Sequence, residues 1–328
     1  MKRVLVVINK WWECDPALAA MLNDNTRPKG APWPPDLQPP RQQSDPNKLP
    51  RYNVTPLPRA TFPYKTFSAE VWCISDLLED LPPECQSSSS AKAERLPGLF
   101  SGAPPDLVIA VGTAGSCSRT PNWNGWVTVG TSVFMHDGHP ADSCNPLSQW
   151  RGPFDQLIES YVDRALFSKI AQFDAASAIK HFLPVPLNPS QDPDISIGFG
   201  DVALGTLNVT DYRQYTELDP KTVNAFSGLN LPHRAVSLET THGLIRMQCE
   251  SAKIPFLFVS GITDRLGFFD TDDAPRADAQ NTAAAHNAGV VVTWMLAALD
   301  IAYGAQPNAV PATRSPVTTC PGCKPCPS

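Results

Sequence analysis

Three stretches of this chain are apolar at every position: VLVVI at 4–8, LVIAV at 107–111 and FLFV at 256–259. A strand with one wet face alternates apolar and polar side chains, so a run without alternation is covered on both faces. Such strands belong to a parallel or mixed sheet sandwiched between helices. Further strand-like runs lie at 70–74, 127–135, 201–209 and 235–238. Helical segments are expected between them, at 16–22, 91–100, 154–173, 220–226, 240–251 and 277–301. The last is rich in alanine, and Ala284, Ala288, Val291, Val292 and Met295 recur at helical spacing. Alternating strands and helices predict an α/β fold: a three-layer α/β/α arrangement around a central mixed, mainly parallel sheet.

Proline bounds where this fold can lie. The chain has 35 prolines, with one cluster over 27–63 and another in the tail. Proline lacks the amide donor and fixes φ, so neither cluster can build a helix interior or a central strand. The expected organisation is one domain over 1–305, carrying a proline-rich surface insertion at 24–66, followed by a disordered tail over 306–328. The net charge of −6 and the absence of a basic stripe argue against a nucleic-acid partner. No uninterrupted apolar run reaches the ~18–20 residues of a membrane span. The apolar start ends at Asn9, too short for a secretory signal. Nine cysteines scattered through apolar segments suit reduced thiols and a cytoplasmic location.

In sheets of this class the ligand crevice lies beyond the carboxyl ends of strands. Three strand ends carry suggestive chemistry: NKWWE with Glu13, GTAGSC at 112–117, and Thr263-Asp264. GTAGSC is a small-residue turn that lets backbone amides approach a ligand, or a tight turn and nothing else. The segment SLETTHGLIRMQCESAKIPFLFVSGITD at 237–264 reads as strand, helix and strand, with Glu239 and Asp264 at neighbouring strand ends. The two carboxylates could divide binding and proton transfer between them, or each could simply cap the segment that follows.

PDLVIAVGTAGSC together with SLETTHGLIRMQCESAKIPFLFVSGITD resembles two motifs of the nucleoside phosphorylase superfamily, which includes purine nucleoside phosphorylases and methylthioadenosine/S-adenosylhomocysteine nucleosidases. SSSSAKAERLPGLF, VTVGTSVFMHDG and VALGTLNVTDY resemble intermediate landmarks in the same order. The resemblance spans most of 3–9, 68–135 and 195–300. It implies an enzyme that cleaves the N-glycosidic bond of a purine-type nucleoside, with no cofactor and no metal, as a homo-oligomer. It implies Asp264 as the acid on purine N7 and Glu239 as the ligand of the ribose hydroxyls, beside Leu238 where nucleosidases carry methionine. Gly112, Thr113, Ala114 and Gly115 would line ribose and base, Tyr212 would stack on the base, and Glu13 would orient an attacking water.

The departures bear on the nucleophile. Phosphorolysis, with phosphate as co-substrate, needs fixed cations around a dianion. The family's arginine before the glycine turn is Ala110 here, and NKWWECDP replaces its Gly-Asp-Pro-Leu-Arg loop. Hydrolysis is therefore the expected reaction. Phosphorolysis with charge from Arg119, Arg213 or Arg265 is the alternative, and a non-catalytic nucleoside-binding protein is a third reading. His136, Asp137 and His139 resemble a metal cluster but are expected in a loop, and Cys320, Cys323 and Cys326 lack a fourth ligand in the tail. Trp11 and Trp12 either wall the pocket or pack in the core, and Ser87–Ser90 either face the site or form a turn.

Overall fold

The computed structural model describes residues 1–37, 56–82, 85–86, 88–116, 122–135, 156–158, 164–198, 204–208, 234–265, 271 and 277–305. Its strands are β1 (Lys2–Ile8), β2 (Ala60–Pro63), β3 (Phe67–Cys73), β4 (Leu107–Ser116), β5 (Val127–Gly130), β6 (Ser132–Met135), β7 (Gln156–Ile158), β8 (Ile195–Ile197), β9 (Leu204–Asn208), β10 (Arg234–Glu239) and β11 (Phe256–Arg265). Its helices are α1 (Trp11–Leu22), α2 (Ile74–Leu77), α3 (Ser89–Arg95), α4 (Arg164–Ile170), α5 (Ala175–Ile179), α6 (His242–Ala252) and α7 (Asp278–Gly304), with a 3₁₀ turn at Leu96–Phe100.

All the described strands join one mixed sheet. β1 lies parallel between β3 and β4, and β11 runs parallel along the other edge of β4. Beyond them β9 pairs parallel with β10 and with β6, while β5 pairs antiparallel with β11. The three fully apolar runs are thus the central strands β1, β4 and β11. Their side chains alternate between two cores. Val4, Val6, Ile8, Ile109, Val111, Leu257 and Val259 face one, with α1, α4, α5 and α7. Leu5, Val7, Val108, Ala110, Phe256 and Phe258 face the other, with α3 and α6. Two covered faces explain why the alternation is invisible in the sequence.

α7 fills the first core. At 27 residues it is the one described helix long and apolar enough to cross a membrane, but 72% of its most apolar stretch is buried inside the domain. Two glycines let it approach closely. A Cβ on Gly261 of β11 would sit 2.0 Å from the Ala284 carbonyl oxygen, and one on Gly289 would sit 2.3 Å from that of Ala17.

Several boundaries differ from expectation. α1 starts at Trp11, five residues ahead of Pro16, because Glu13 and Cys14 amides both bond the Lys10 carbonyl and nucleate the helix upstream of the proline. The region 154–173, read as one helix, contains strand β7 paired antiparallel with β6 and the shorter α4. A sheet edge offering unpaired backbone groups overrides the local helical pattern there. Strand pattern 127–135 splits into β5 and β6, on different parts of the sheet. The proline-rich stretch ends in edge strand β2, where Pro63 is tolerated. Arg59, just before it, is almost fully buried and forms a salt bridge to Asp76 with an NH2–Oδ1 contact of 2.8 Å. The expected helix at 220–226 and the tail at 306–328 lie outside the described residues.

Candidate active site

β1 leaves β4 after the Ile8–Val111 pair, and β10 joins the same edge only at Gly115. Between these points residues 112–114 pair with β11 on one side and, among the described residues, with no strand on the other. A cavity of about 180 Å³ occupies this break. Asn9, Lys10, Trp12 and Glu13 line it from the end of β1, Gly112 and Thr113 from β4, and Leu238, Glu239, Thr240, Thr241 and His242 from the turn between β10 and α6.

Glu13 replaces the missing strand as an acceptor. Its Oε1 takes the Thr113 backbone N–H and the Thr113 hydroxyl, each at 2.7 Å, and its Oε2 takes the Lys10 amide at 3.0 Å. The carboxylate is 3% exposed. Burial raises its pKa above the usual 4.5, against the pull of the Thr113 and Lys10 donors and the Lys92 charge. A Cβ on Gly112 would lie 3.1 Å from Glu13 Oε1, so glycine there leaves room for the carboxylate.

Glu239 faces the cavity from the opposite wall. Its Oε2 accepts the amides of Thr241 and His242, the latter at 2.6 Å, and so caps the first turn of α6. Its Oε1 is buried with no hydrogen-bond partner among the described residues. Burial raises the Glu239 pKa to about 8, opposed by those two amides and by Lys92 and reinforced by Glu13. A buried carboxylate oxygen without a partner, on a residue that lines a cavity, is a ready acceptor for ligand hydroxyls.

Three residues at the site were not singled out in the sequence. Lys92 of α3 is 2% exposed, and its Nζ donates to Thr241 Oγ1 at 3.0 Å. Burial lowers its pKa to about 7, with Lys10 repulsion adding to the fall and Glu13 and Glu239 opposing it. Lys10 bonds the Gln86 carbonyl at 3.3 Å, and burial lowers its pKa too. His242 stacks on Phe258, and burial takes its pKa down to about 3, against a bond to the Val111 carbonyl, so its ring is neutral. In the sequence Lys92 resembles any solvated helix charge. His242 alone had a signal, as a histidine in the first turn after a strand-end glutamate.

Of the expected site residues, Gly112, Thr113 and Leu238 also line this cavity, whereas Ala114, Gly115 and Asp264 are not among its lining residues. Gly115 pairs with Leu238 of β10 on one side and Asp264 of β11 on the other, so β4 separates the strand ends carrying Glu239 and Asp264, which are not neighbours. The reason is that β4, not either partner, is the central strand. Thr263 forms a bulge between the Ile262–Ala114 and Asp264–Gly115 pairs, and a bulge re-aims the side chain that follows it. Thr263 Oγ1 donates to Asp264 Oδ1 and lies 3.3 Å from the Ala114 carbonyl, while buried Gln280 of α7 holds the Thr263 carbonyl. Asp264 is 1% exposed and is not among the cavity-lining residues. Ala110 packs in the second core, Ser88 caps α3 through the Ala91 amide, Trp12 lines the cavity and Trp11 is exposed. Tyr212, Arg119, Arg213, His136, Asp137 and His139 lie outside the described residues.

No protein-family model and no curated protein matches the sequence. Solved structures do match the fold. One, from Borrelia burgdorferi B31, is named as a 5′-methylthioadenosine/S-adenosylhomocysteine nucleosidase bound to adenine. It superposes with a TM-score of 0.55 over 90% of this chain and 99% of its own, at 12% identity. This is the nucleosidase fold. Helicobacter pylori futalosine hydrolase matches with a TM-score of 0.53 over 90% of this chain and 97% of its own, at 12% identity. The Streptococcus pyogenes S-adenosylhomocysteine nucleosidase in complex with 5-methylthiotubericidin gives 0.51 over 90% and 96%, again at 12%. The mixed, mostly parallel sheet with helices on both sides, expected from the sequence, is thus the sheet of this nucleosidase fold.

Proposed function

We propose that this chain hydrolyses the N-glycosidic bond of a purine-type nucleoside in the cavity at the β1–β4–β10 break. The observation that carries the reading is the unpartnered, buried Oε1 of Glu239, on a residue that lines the same cavity as Glu13. Glu239 accepts the ribose hydroxyls, and in its ionised form it stabilises the cationic sugar as the bond to the base lengthens. Glu13 accepts a proton from the water that attacks C1′, so one C–O bond forms as one C–N bond breaks. Thr113, Ala114 and Gly115 run from the ribose toward the base. Asp264, across Gly115, hydrogen-bonds or protonates N7 of the leaving base. Two strand spacings, roughly 10 Å, separate the two strand ends, a span that suits a nucleoside. The fold shared with nucleosidases, one bound to adenine, supports the same substrate class. The buried thiols of Cys14, Cys73 and Cys249 support a cytoplasmic location.

Phosphorolysis is the second reading, and one observation favours it: a lysine, Lys10, is among the residues that line the cavity. Incubation with a panel of purine nucleosides, with and without phosphate, separates the two by base release. Release without phosphate supports hydrolysis, and release only with phosphate overturns it. No release from any nucleoside overturns the enzymatic reading. Asp264→Asn should abolish turnover while leaving the fold intact, and turnover at the wild-type rate would remove Asp264 from the mechanism.

A further inference from the structure

A buried lysine beside two buried carboxylates is not explained by any step above. Lys92 sits on α3, outside the cavity lining, and reaches the site through one contact, Nζ to Thr241 Oγ1 at 3.0 Å. Thr241 is 1% exposed and its amide in turn bonds Glu239 Oε2. The ammonium, the Thr241 hydroxyl and backbone, and the carboxylate therefore form a short chain buried from end to end. An isolated ammonium in such a place carries a large desolvation penalty, and it persists only where opposite charge is close.

Charged and titratable groups surround Lys92 from several elements. Glu13 comes from α1, Lys10 from the loop before it, and Glu239 from the end of β10. α6, which packs on α3, contributes His242, which is neutral, and Arg246, which is ion-paired with Glu250. The opposite charge in reach is thus that of the two cavity glutamates. Of these, Glu13 already has three donors on its oxygens, whereas Glu239 has two backbone amides on one oxygen and none on the other.

We infer that Lys92 is a positioning residue for Glu239: its buried amine, anchored on Thr241, favours the ionised over the protonated form of the Glu239 carboxyl, the form in which Oε1 accepts ligand hydroxyls. A protonated Glu239 would lose acceptor capacity at the oxygen that carries the proton. Near neutral pH the two groups share a proton, and deprotonation of Glu239 strengthens the hold on the Lys92 proton. The inference rests on the proposed ribose role of Glu239, but its test does not require turnover.

The test is a pH titration of glutamate side-chain carboxyl carbons by ¹³C NMR in the intact protein, with the Glu239 resonance assigned by its loss in Glu239→Gln. In Lys92→Gln, which removes the charge and keeps a polar end to the side chain, the Glu239 midpoint should rise by about one unit or more. An unchanged midpoint overturns the inference, whatever the activity. Should that variant fail to fold, the wild-type protein decides alone. The Lys92 ¹⁵Nζ resonance should then show a second inflection at the Glu239 midpoint, and two independent titrations overturn the coupling. A nucleoside panel without base release would refute the nucleosidase reading and leave this titration intact.

Discussion

Thr113 gives both its backbone N–H and its hydroxyl to the same oxygen of Glu13, each at 2.7 Å. The amide is free to do so because β1 has already left β4 at Val111. Both bonds favour the ionised carboxylate, which burial disfavours. Removing the hydroxyl in Thr113→Val should therefore raise the Glu13 pKa further and shift the acid limb of kcat/KM to higher pH. A hydrogen bond to a charged group is worth about 1.5–3 kcal/mol, so turnover below the limb should fall roughly 10–100-fold and recover as pH rises. A pH–rate profile of wild type and variant checks this, and a loss that is equal at every pH would count against Glu13 as the proton acceptor.

Glu239→Gln should stabilise the protein while disabling it. The carboxyl pKa is about 8 in the fold against 4.5 for the free group. With the folded value raised, the favourable contribution is complete below 4.5 and is lost as pH climbs through 8. Glutamine keeps a carbonyl oxygen for the Thr241 and His242 amides and titrates nowhere in that window. In the variant, without the Glu239 charge that raises it, Lys92 lies no higher than about 7 and is neutral at pH 9, so no buried charge is left without its partner. Thermal melts at pH 5 should nearly coincide, and at pH 9 the variant should melt higher by several degrees, at about 2–4 °C for each kcal/mol in a large domain. Equal melting temperatures at pH 9 would show that Glu239 is not held at a desolvation cost.

The central strands were legible because burial on both faces writes itself as an unbroken apolar run, and GTAGSC and LETT mark where β4 and β10 reach the cavity. Three features were not legible, each for a physical reason. The cavity arises where β4 exchanges one neighbour for another, and strand partners are decided by contacts far apart in sequence. Lys92 meets Thr241 across 149 residues, and nothing local in SSAKAER marks that lysine as buried. The start of α1 was misjudged because Pro16 is a strong local signal, whereas the Lys10–Glu13 bonds that start the helix involve no unusual residue type. The Thr263 bulge, which sets the direction of Asp264, depends on α7 through Gln280.

Gly261→Ala should damage the fold rather than the chemistry. The new Cβ would meet the Ala284 carbonyl oxygen at 2.0 Å and its carbon at 2.6 Å, both backbone atoms of α7. No rotamer change relieves such a clash, so the helix must move off the sheet. Overpacking of this kind should cost about 3 kcal/mol or more in urea unfolding. Gly98→Ala is the control, since a Cβ there meets nothing within 4 Å, and it should change stability by about 0.5 kcal/mol or less. A Gly261→Ala protein as stable as this control would mean that α7 does not approach β11 as described.

Gly112→Ala should show the opposite pattern. Its Cβ would lie 3.1 Å from Glu13 Oε1 and 3.4 Å from His242 Nε2, the ends of two side chains rather than backbone. Both can yield by a few tenths of an ångström, so stability should fall by only about 1 kcal/mol. Glu13 cannot yield without lengthening its bonds to Thr113, and those bonds fix the oxygen proposed to receive the proton of the attacking water. Misplacing a catalytic group by about 1 Å can cost on the order of 100-fold, so this smaller displacement should lower kcat by roughly tenfold. KM should change less, because Glu239, the proposed ligand of the ribose hydroxyls, is held by β10 and not by the Gly112 turn. Steady-state kinetics beside a denaturation curve separates the two effects. A variant with full kcat, or one whose loss falls entirely on KM, would place the reacting atoms away from Glu13.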